Sequence, residues 1–226
     1  MKKIAVTRYM VKSFQTAEAI KTLRTNLLFS GADVKAVALT SFFEAEGKST
    51  ICFQLAASLA QAGKRVLLLD ADLRKSRLIN RLQVNTKVEG LSHYLSGMAD
   101  INELLYETDQ PGMDIMFAGA CVPNSAELLG SAGFGSLIAK LKTIFDYVIV
   151  DSAPLGQVID CAVIAPVLDG VLMVVDVTNN SYKMERRVKA QLEKSGGKIL
   201  GVVLNRIDPK EHGYYSNHYY SDSESK

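Results

Sequence analysis

The segment Thr40-Ser41-Phe42-Phe43-Glu44-Ala45-Glu46-Gly47-Lys48-Ser49-Thr50 decides the reading of this chain. Before it lies a short apolar, β-branched run, Val37 to Thr40. After it, Thr50 to Ala62 is rich in Ala, Leu and Gln and stops at Gly63. That order is strand, loop, helix. Gly47-Lys48-Ser49 ends the loop as a Walker A sequence ends. Backbone N–H groups at a helix N-terminus point at an anion, and the helix dipole favours negative charge there. Gly47 lets the backbone come close, Lys48 reaches the outer phosphates of a nucleotide, and the Ser49 hydroxyl ligates Mg²⁺. Glu46 and Thr50 flank these residues and complete the expected ATP-binding set. Phe42 stands where the consensus has glycine.

Working outward, further apolar runs occur at Val66 to Leu69, Tyr147 to Val150, Val171 to Val175 and Ile199 to Leu204, with a weaker one at Met113 to Phe117. They are continuous rather than alternating, which predicts strands buried on both faces of a parallel sheet. Tyr182 to Lys194 has helical spacing and ends at Gly196-Gly197. Buried strands alternating with helices predict an α/β, doubly wound, mostly parallel sheet.

Two of the strands run straight into acidic residues: Val66 to Leu69 into Asp70-Ala71-Asp72-Leu73-Arg74, and Tyr147 to Val150 into Asp151-Ser152-Ala153-Pro154. In an open parallel sheet the carboxyl ends of the strands line one crevice, where ligands bind. Lys48, Ser49, Asp70, Asp72 and Asp151 are therefore expected at one edge. A single Asp after a strand is usually a turn or helix cap. Three of them beside a phosphate loop fit a Mg-nucleotide site. Asp151 is the Walker B candidate, and Ser49, Asp72 and Asp151 are the expected metal ligands.

The chain has 226 residues, 48% hydrophobic and 22% charged, with a formal net charge of +2. That suits one α/β domain with tails, and bulk charge points to neither nucleic acid nor an acidic membrane surface. Cys52, Cys121 and Cys161 are far apart and form no CxxC pair, so neither a disulfide framework nor a zinc site is expected. Cys52 and Cys161 read as core packing, and reduced thiols fit the cytoplasm. His93, His212 and His218 show no nucleophile or metal spacing. Neither a signal peptide nor an apolar run of the ~18 residues that span a bilayer is visible, so a membrane role is expected only through a partner.

The expected organisation has three parts: an N-terminal segment, 1–30; a P-loop domain, 31–208; and a tail, 209–226. Ala17 to Phe29 reads as an amphipathic helix through Ala19, Leu23 and Leu27. The tail carries no aliphatic residue but holds Tyr214, Tyr215, Tyr219 and Tyr220, four of the nine tyrosines. Such a composition buries little surface. From Asp208 to Tyr219 the extended chain spans at most roughly 36–40 Å, enough to reach a neighbouring site.

With its second acidic strand end, the chain resembles the MinD/ParA/nitrogenase-iron-protein superfamily, and most of all the bacterial tyrosine kinases of capsule and exopolysaccharide systems. Asp70-Ala71-Asp72-Leu73-Arg74 matches that family's Walker A′, and Asp146-Tyr147-Val148-Ile149-Val150-Asp151 its Walker B. Glu18, Lys21 and Arg24 fall on its N-terminal ring-assembly motif, and the Tyr-rich tail on its autophosphorylation cluster. Gly90-Leu91-Ser92 and Pro123 to Leu129 match further segments. The chain departs from the family at Glu44-Ala45, usually Pro-Gly; at Lys21, usually Arg; and at Ser152-Ala153-Pro154, usually Thr-Pro-Pro-like. The signature lysine of MinD-type loops is absent, as in the kinase branch.

The resemblance implies an ATP- and Mg²⁺-dependent autokinase that modifies Tyr214, Tyr215, Tyr219 and Tyr220 of a neighbour within a homo-oligomeric ring. Lys48, Asp70 and Asp72 are its catalytic set. One of the two Asp residues, with Asp70 favoured, acts as base, and the other serves the metal site or positioning. Asn205 is expected to contact the adenine, with a strand-end turn as the plainer role. Arg74 contacts a phosphate or pairs with an Asp, and Asp160 ligates through water or caps a helix. The expected partners are a membrane activator of the polysaccharide co-polymerase type and a cognate tyrosine phosphatase, not nucleic acid. The expected location is the cytoplasm, at the inner face of the membrane. A MinD/ParA-like switch and a nucleotide-binding scaffold of an export complex are the competing readings.

Overall fold

In the computed structural model, residues 4–6, 9–10, 13–84, 88–179 and 182–207 are described. The apolar runs form strands β1 (Ala36–Ser41), β2 (Val66–Asp70), β4 (Met113–Met116), β5 (Tyr147–Asp151), β6 (Gly170–Asp176) and β7 (Ile199–Asn205). A two-residue strand, β3 (Tyr106–Glu107), joins them at one edge. The seven-stranded order is β3-β4-β2-β5-β1-β6-β7. All pairings are parallel except β3 with β4. The expected mostly parallel α/β sheet is present.

Successive side chains of a strand point to opposite faces, so each strand feeds two apolar layers. Along β2, Leu67 and Leu69 enter one layer, and Val66 and Leu68 the other. The first layer is closed by helices α7 (Ala132–Ile144), α8 (Asp160–Ile164) and α9 (Tyr182–Ser195). The second is closed by α1 (Phe14–Phe29) and α2 (Lys48–Gln61). Each fully buried Leu contributes about 1.5–3 kcal/mol. Four short helices, α3 (Leu78–Arg81), α4 (Leu91–Leu95), α5 (Ile101–Leu104) and α6 (Ser125–Leu129), fill the connections. Cys52 and Cys161 are fully buried, as their core assignment required.

Two local expectations change. Strand β7 is not buried on both faces: it closes the sheet edge, and Val202 and Leu204 are each 54% exposed. A continuous apolar run reports a strand, but its place in the sheet is set by topology. On α1, Ala19 is exposed, whereas Leu23, Leu27 and Leu28 pack against the core. The segment ahead of α1 is tied to the opposite edge of the sheet. Ile4 pairs with Thr108, and the Val6 N–H donates to Asp109 Oδ1 at 2.6 Å. Among the described residues no helix is long and apolar enough to cross a membrane. Tyr214, Tyr215, Tyr219 and Tyr220 lie outside the described residues.

Candidate active site

Strands β2, β5 and β1 are neighbours, so their carboxyl ends lie side by side. Asp70 and Asp151 are directly opposed in register. The phosphate loop leaves β1 next to them. The result is a cavity of about 660 Å³ lined by Lys48, Ser49, Thr50, Asp70, Asp72 and Asp151, with Gly47 at its wall. All the residues expected at the strand ends therefore meet in one place.

Gly47 is the N-cap of α2, with φ 90°, a left-handed value that favours glycine. A Cβ there would also lie 2.1 Å from the Asn205 side-chain nitrogen. Lys48 is buried at 7% exposure, and its ammonium contacts the Asp151 carboxylate. Burial disfavours its charge, but Asp151, Cys52 and Asp72 outweigh that and raise its pKa. Phe42, at the position of a consensus glycine, lies against Gly156 beyond β5, and its ring meets Phe43 edge-on at 4.5 Å.

Asp70 is 1% exposed. Burial, then the neighbouring Asp151, push its pKa up to about 8, against hydrogen bonds from the Ser76 hydroxyl and the Asp72 N–H. Asp72 accepts from the N–H groups of Arg74 at 3.3 Å and Lys75 at 2.9 Å, both on Oδ1. This turn is held from outside. Arg74 donates from Nε and Nη2 to the two oxygens of Asp160, at 2.9 and 3.0 Å, and Ser125 adds a hydroxyl at 2.6 Å. Arg74 thus takes the ion-pair role, and Asp160 is a buried anchor at the start of α8. Ser76 carried no motif, and Ser125, within the Pro123 to Leu129 segment that matches the resembled family, was given no role of its own.

The remaining expectations fall as follows. Glu46 turns its carboxylate onto the N–H groups of Phe42 and Phe43, at 3.0 and 3.2 Å, and so braces the loop. Asn205 donates from its amide to the Glu46 carbonyl at 2.8 Å. Glu44 spans the cavity mouth to Lys75 at 2.9 Å and Arg77 at 3.3 Å. Glu18 and Lys21 pair on the exposed side of α1. Arg24 points inward, donating to the Ser58 carbonyl at 3.0 Å.

Glu185 of α9 was not anticipated. Both its carboxylate oxygens are shielded from solvent with no hydrogen-bond partner among the described residues. Burial, then the Glu46 carboxylate, raise its pKa from 4.5 to about 7. Between those values the folded protein keeps a proton that the unfolded chain has lost, so stability declines as pH rises through that window. Glu185→Gln is expected to melt with the wild type at pH 4.5 and above it at pH 8. A constant difference at both pH values would show that this carboxylate is not held protonated.

Residues 37–223 match the CobQ/CobB/MinD/ParA nucleotide-binding domain family. Tyrosine-protein kinase CpsD of Streptococcus agalactiae is 39% identical over 214 residues, covering 94% of this chain and 93% of that protein. A putative tyrosine-protein kinase of Staphylococcus aureus, CapB, is 30% identical, with 91% of each chain covered. The solved kinase domain of the Escherichia coli tyrosine kinase ETK superposes with a TM-score of 0.79 at 31% identity, covering 85% of this chain and 77% of that one. With a phosphate loop, a second acidic strand end and relatives of this length and identity, the chain belongs to the bacterial tyrosine-protein kinases within the CobQ/CobB/MinD/ParA nucleotide-binding family.

Proposed function

We propose that this kinase uses Mg-ATP to phosphorylate Tyr214, Tyr215, Tyr219 and Tyr220 of a neighbouring copy within a ring, and thereby regulates capsular or exopolysaccharide synthesis or export. The observation that carries the reading is the meeting of Lys48, Asp70, Asp72 and Asp151 at one cavity. Ser49, Asp72 and Asp151 offer the hard oxygen donors that suit Mg²⁺. Among the described residues no three acidic, His or Cys side chains form a cation cage. Mg²⁺ is usually held by one or two carboxylates together with nucleotide phosphates. When bound, the ion neutralises charge on the phosphates.

The chain's own groups do the rest. Backbone N–H groups of the loop and the Lys48 ammonium take the β- and γ-phosphate oxygens. Asp70, beside Asp72 at the end of β2, accepts the phenolic proton as attack proceeds. Tyrosine alone has a pKa near 10, so the base need only take the proton as attack proceeds. Arg74 and Asp160 keep the Asp70–Asp72 turn in register with the loop.

Glu18 and Lys21, exposed on α1, support assembly through that helix. Arg24 acts there by fastening α1 to α2. The activator is a separate membrane protein of the polysaccharide co-polymerase type that brings the kinase to the inner face of the membrane, and a cognate phosphatase reverses the modification.

The test is intact mass after incubation with Mg-ATP and the activator's cytoplasmic segment. Steps of one phosphate are expected, up to four, mapping to the four tail tyrosines. Bound Mg-ATP with no gain of mass would instead favour a nucleotide-controlled switch.

A further inference from the structure

A phosphate loop works only if its N–H groups face the anion, and each peptide's N–H points opposite to its C=O. Whatever holds the carbonyls outward therefore aims the N–H groups inward. In this chain two carbonyls of the loop are held by Asn205, which ends β7, and by Arg206 just after it. Arg206 donates from Nη2 to the Ala45 carbonyl at 2.8 Å, and Asn205 donates to the Glu46 carbonyl at 2.8 Å. The peptide that carries the Ala45 carbonyl also carries the Glu46 N–H, and the next one carries the Gly47 N–H.

We propose that Arg206 is a positioning residue for the phosphate loop, clamping the Ala45 carbonyl to the end of β6 so that the Glu46 N–H is preset toward the nucleotide phosphates. The proposal rests on the reading of the cavity as a nucleotide site.

Three observations support the clamp. Its far end is fixed: Arg206 Nη1 contacts the carboxylate of Asp176, which is 1% exposed and held by the Thr178 N–H at 3.0 Å and hydroxyl at 2.7 Å. Asp176 and Asn205 are register partners, so the pairing of β6 with β7 sets the clamp's position. Finally, Ala45 is strained. It sits at φ 64° and Arg206 at φ 61°, left-handed values that non-glycine residues adopt only where the surroundings impose them. Ala45 replaces a residue that the resembled family usually has as glycine, so an outside hold is needed where a glycine would adopt this conformation unaided.

The measurement is calorimetric titration of the full chain with Mg-ADP and, in parallel, with AMP, which lacks the outer phosphate that the loop takes. Arg206→Gln is expected to weaken Mg-ADP about three- to tenfold, the effect of losing one exposed charge-assisted hydrogen bond, and to change AMP binding by less than about twofold. Arg206→Lys should fall between, because an ammonium does not reproduce the two-pronged fork. Asp176→Asn leaves the guanidinium in place but loosens its anchor, and should weaken Mg-ADP in the same direction.

Equal Mg-ADP affinity in wild type and Arg206→Gln overturns the proposal. So does a parallel loss of AMP and Mg-ADP, which would mark general loosening. A tight Asp176→Asn beside a weak Arg206→Gln also overturns it, since Arg206 would then be touching phosphate itself. A wild type that binds no Mg-ADP is a separate failure, that of the nucleotide reading.

Discussion

Lys48→Met is expected to stop phosphate incorporation, slowing it at least about 100-fold, the scale of removing one preorganised group that stabilises transition-state charge. A second effect is less obvious. Lys48 and Asp151 are 7% and 3% exposed and touch each other. Methionine fills the space but leaves the Asp151 carboxylate buried without its cation. Breaking a buried pair from one side costs about 3–5 kcal/mol. For a chain of this size each kcal/mol lowers the melting temperature by about 2–4 °C. The nucleotide-free Lys48→Met protein should therefore melt about 6–20 °C below wild type. Asp151→Asn added to it should recover most of that loss without recovering activity. The double-mutant cycle separates the two roles of the lysine. If Lys48→Met melts with the wild type, the ammonium is not a partner of Asp151 in the resting protein.

Six of the seven strands were legible because each is built on a mostly apolar run, weakest in β4 where Asp114 interrupts it, a pattern that survives without knowledge of their neighbours. Strand β3 was not, since two residues carry no period. Helix α7 was missed for a different reason. Phe134, Leu137, Ile138 and Leu141 have the spacing of one helix face and are buried, but Gly133 and Gly135 lower local helix propensity and hid the pattern. Tertiary packing of that face outweighs them.

In the site, Lys48 and Ser49 could be read from the phosphate-loop sequence that opens α2, and Asp70, Asp72 and Asp151 because they lie at or just past strand ends, which a parallel sheet brings together. Of the groups that hold them in place, Arg74 could be read as a partner of some Asp, but which Asp could not. Arg74 and Asp160 are 86 residues apart in sequence, and Arg206 and Ala45 161 apart. Neither pair has a local signature. Asn205 was expected to contact the adenine, with a strand-end turn as the plainer role. Its amide is engaged by the loop, a role visible only once β7 is placed beside β6.

Arg74→Met is the second large effect. The Arg74 side chain is 35% exposed and that of Asp160 only 1%. Removing the guanidinium strands a buried carboxylate that retains the Ser125 hydroxyl. Partial exposure of the arginine and the remaining hydrogen bond place the cost below that of a fully buried pair, at about 2–3 kcal/mol. Arg74→Lys should lose nearly as much, because one ammonium does not match two carboxylate oxygens.

The catalytic consequence follows from position rather than charge. Arg74 ends the turn that carries Asp70 and Asp72, and its side chain ties that turn to α8. Freed, the turn no longer holds the two carboxylates at a fixed distance from the loop. A displacement on the order of 1 Å costs up to about 100-fold in rate, and a loosened turn should cost at least about tenfold in kcat. Adding Asp160→Asn to Arg74→Met removes the stranded charge, so the melting temperature should rise again while kcat stays low. Recovery of both would mean that Arg74 supports the fold alone. Recovery of stability without rate would place Arg74 and Asp160 in the positioning of the Asp70–Asp72 turn.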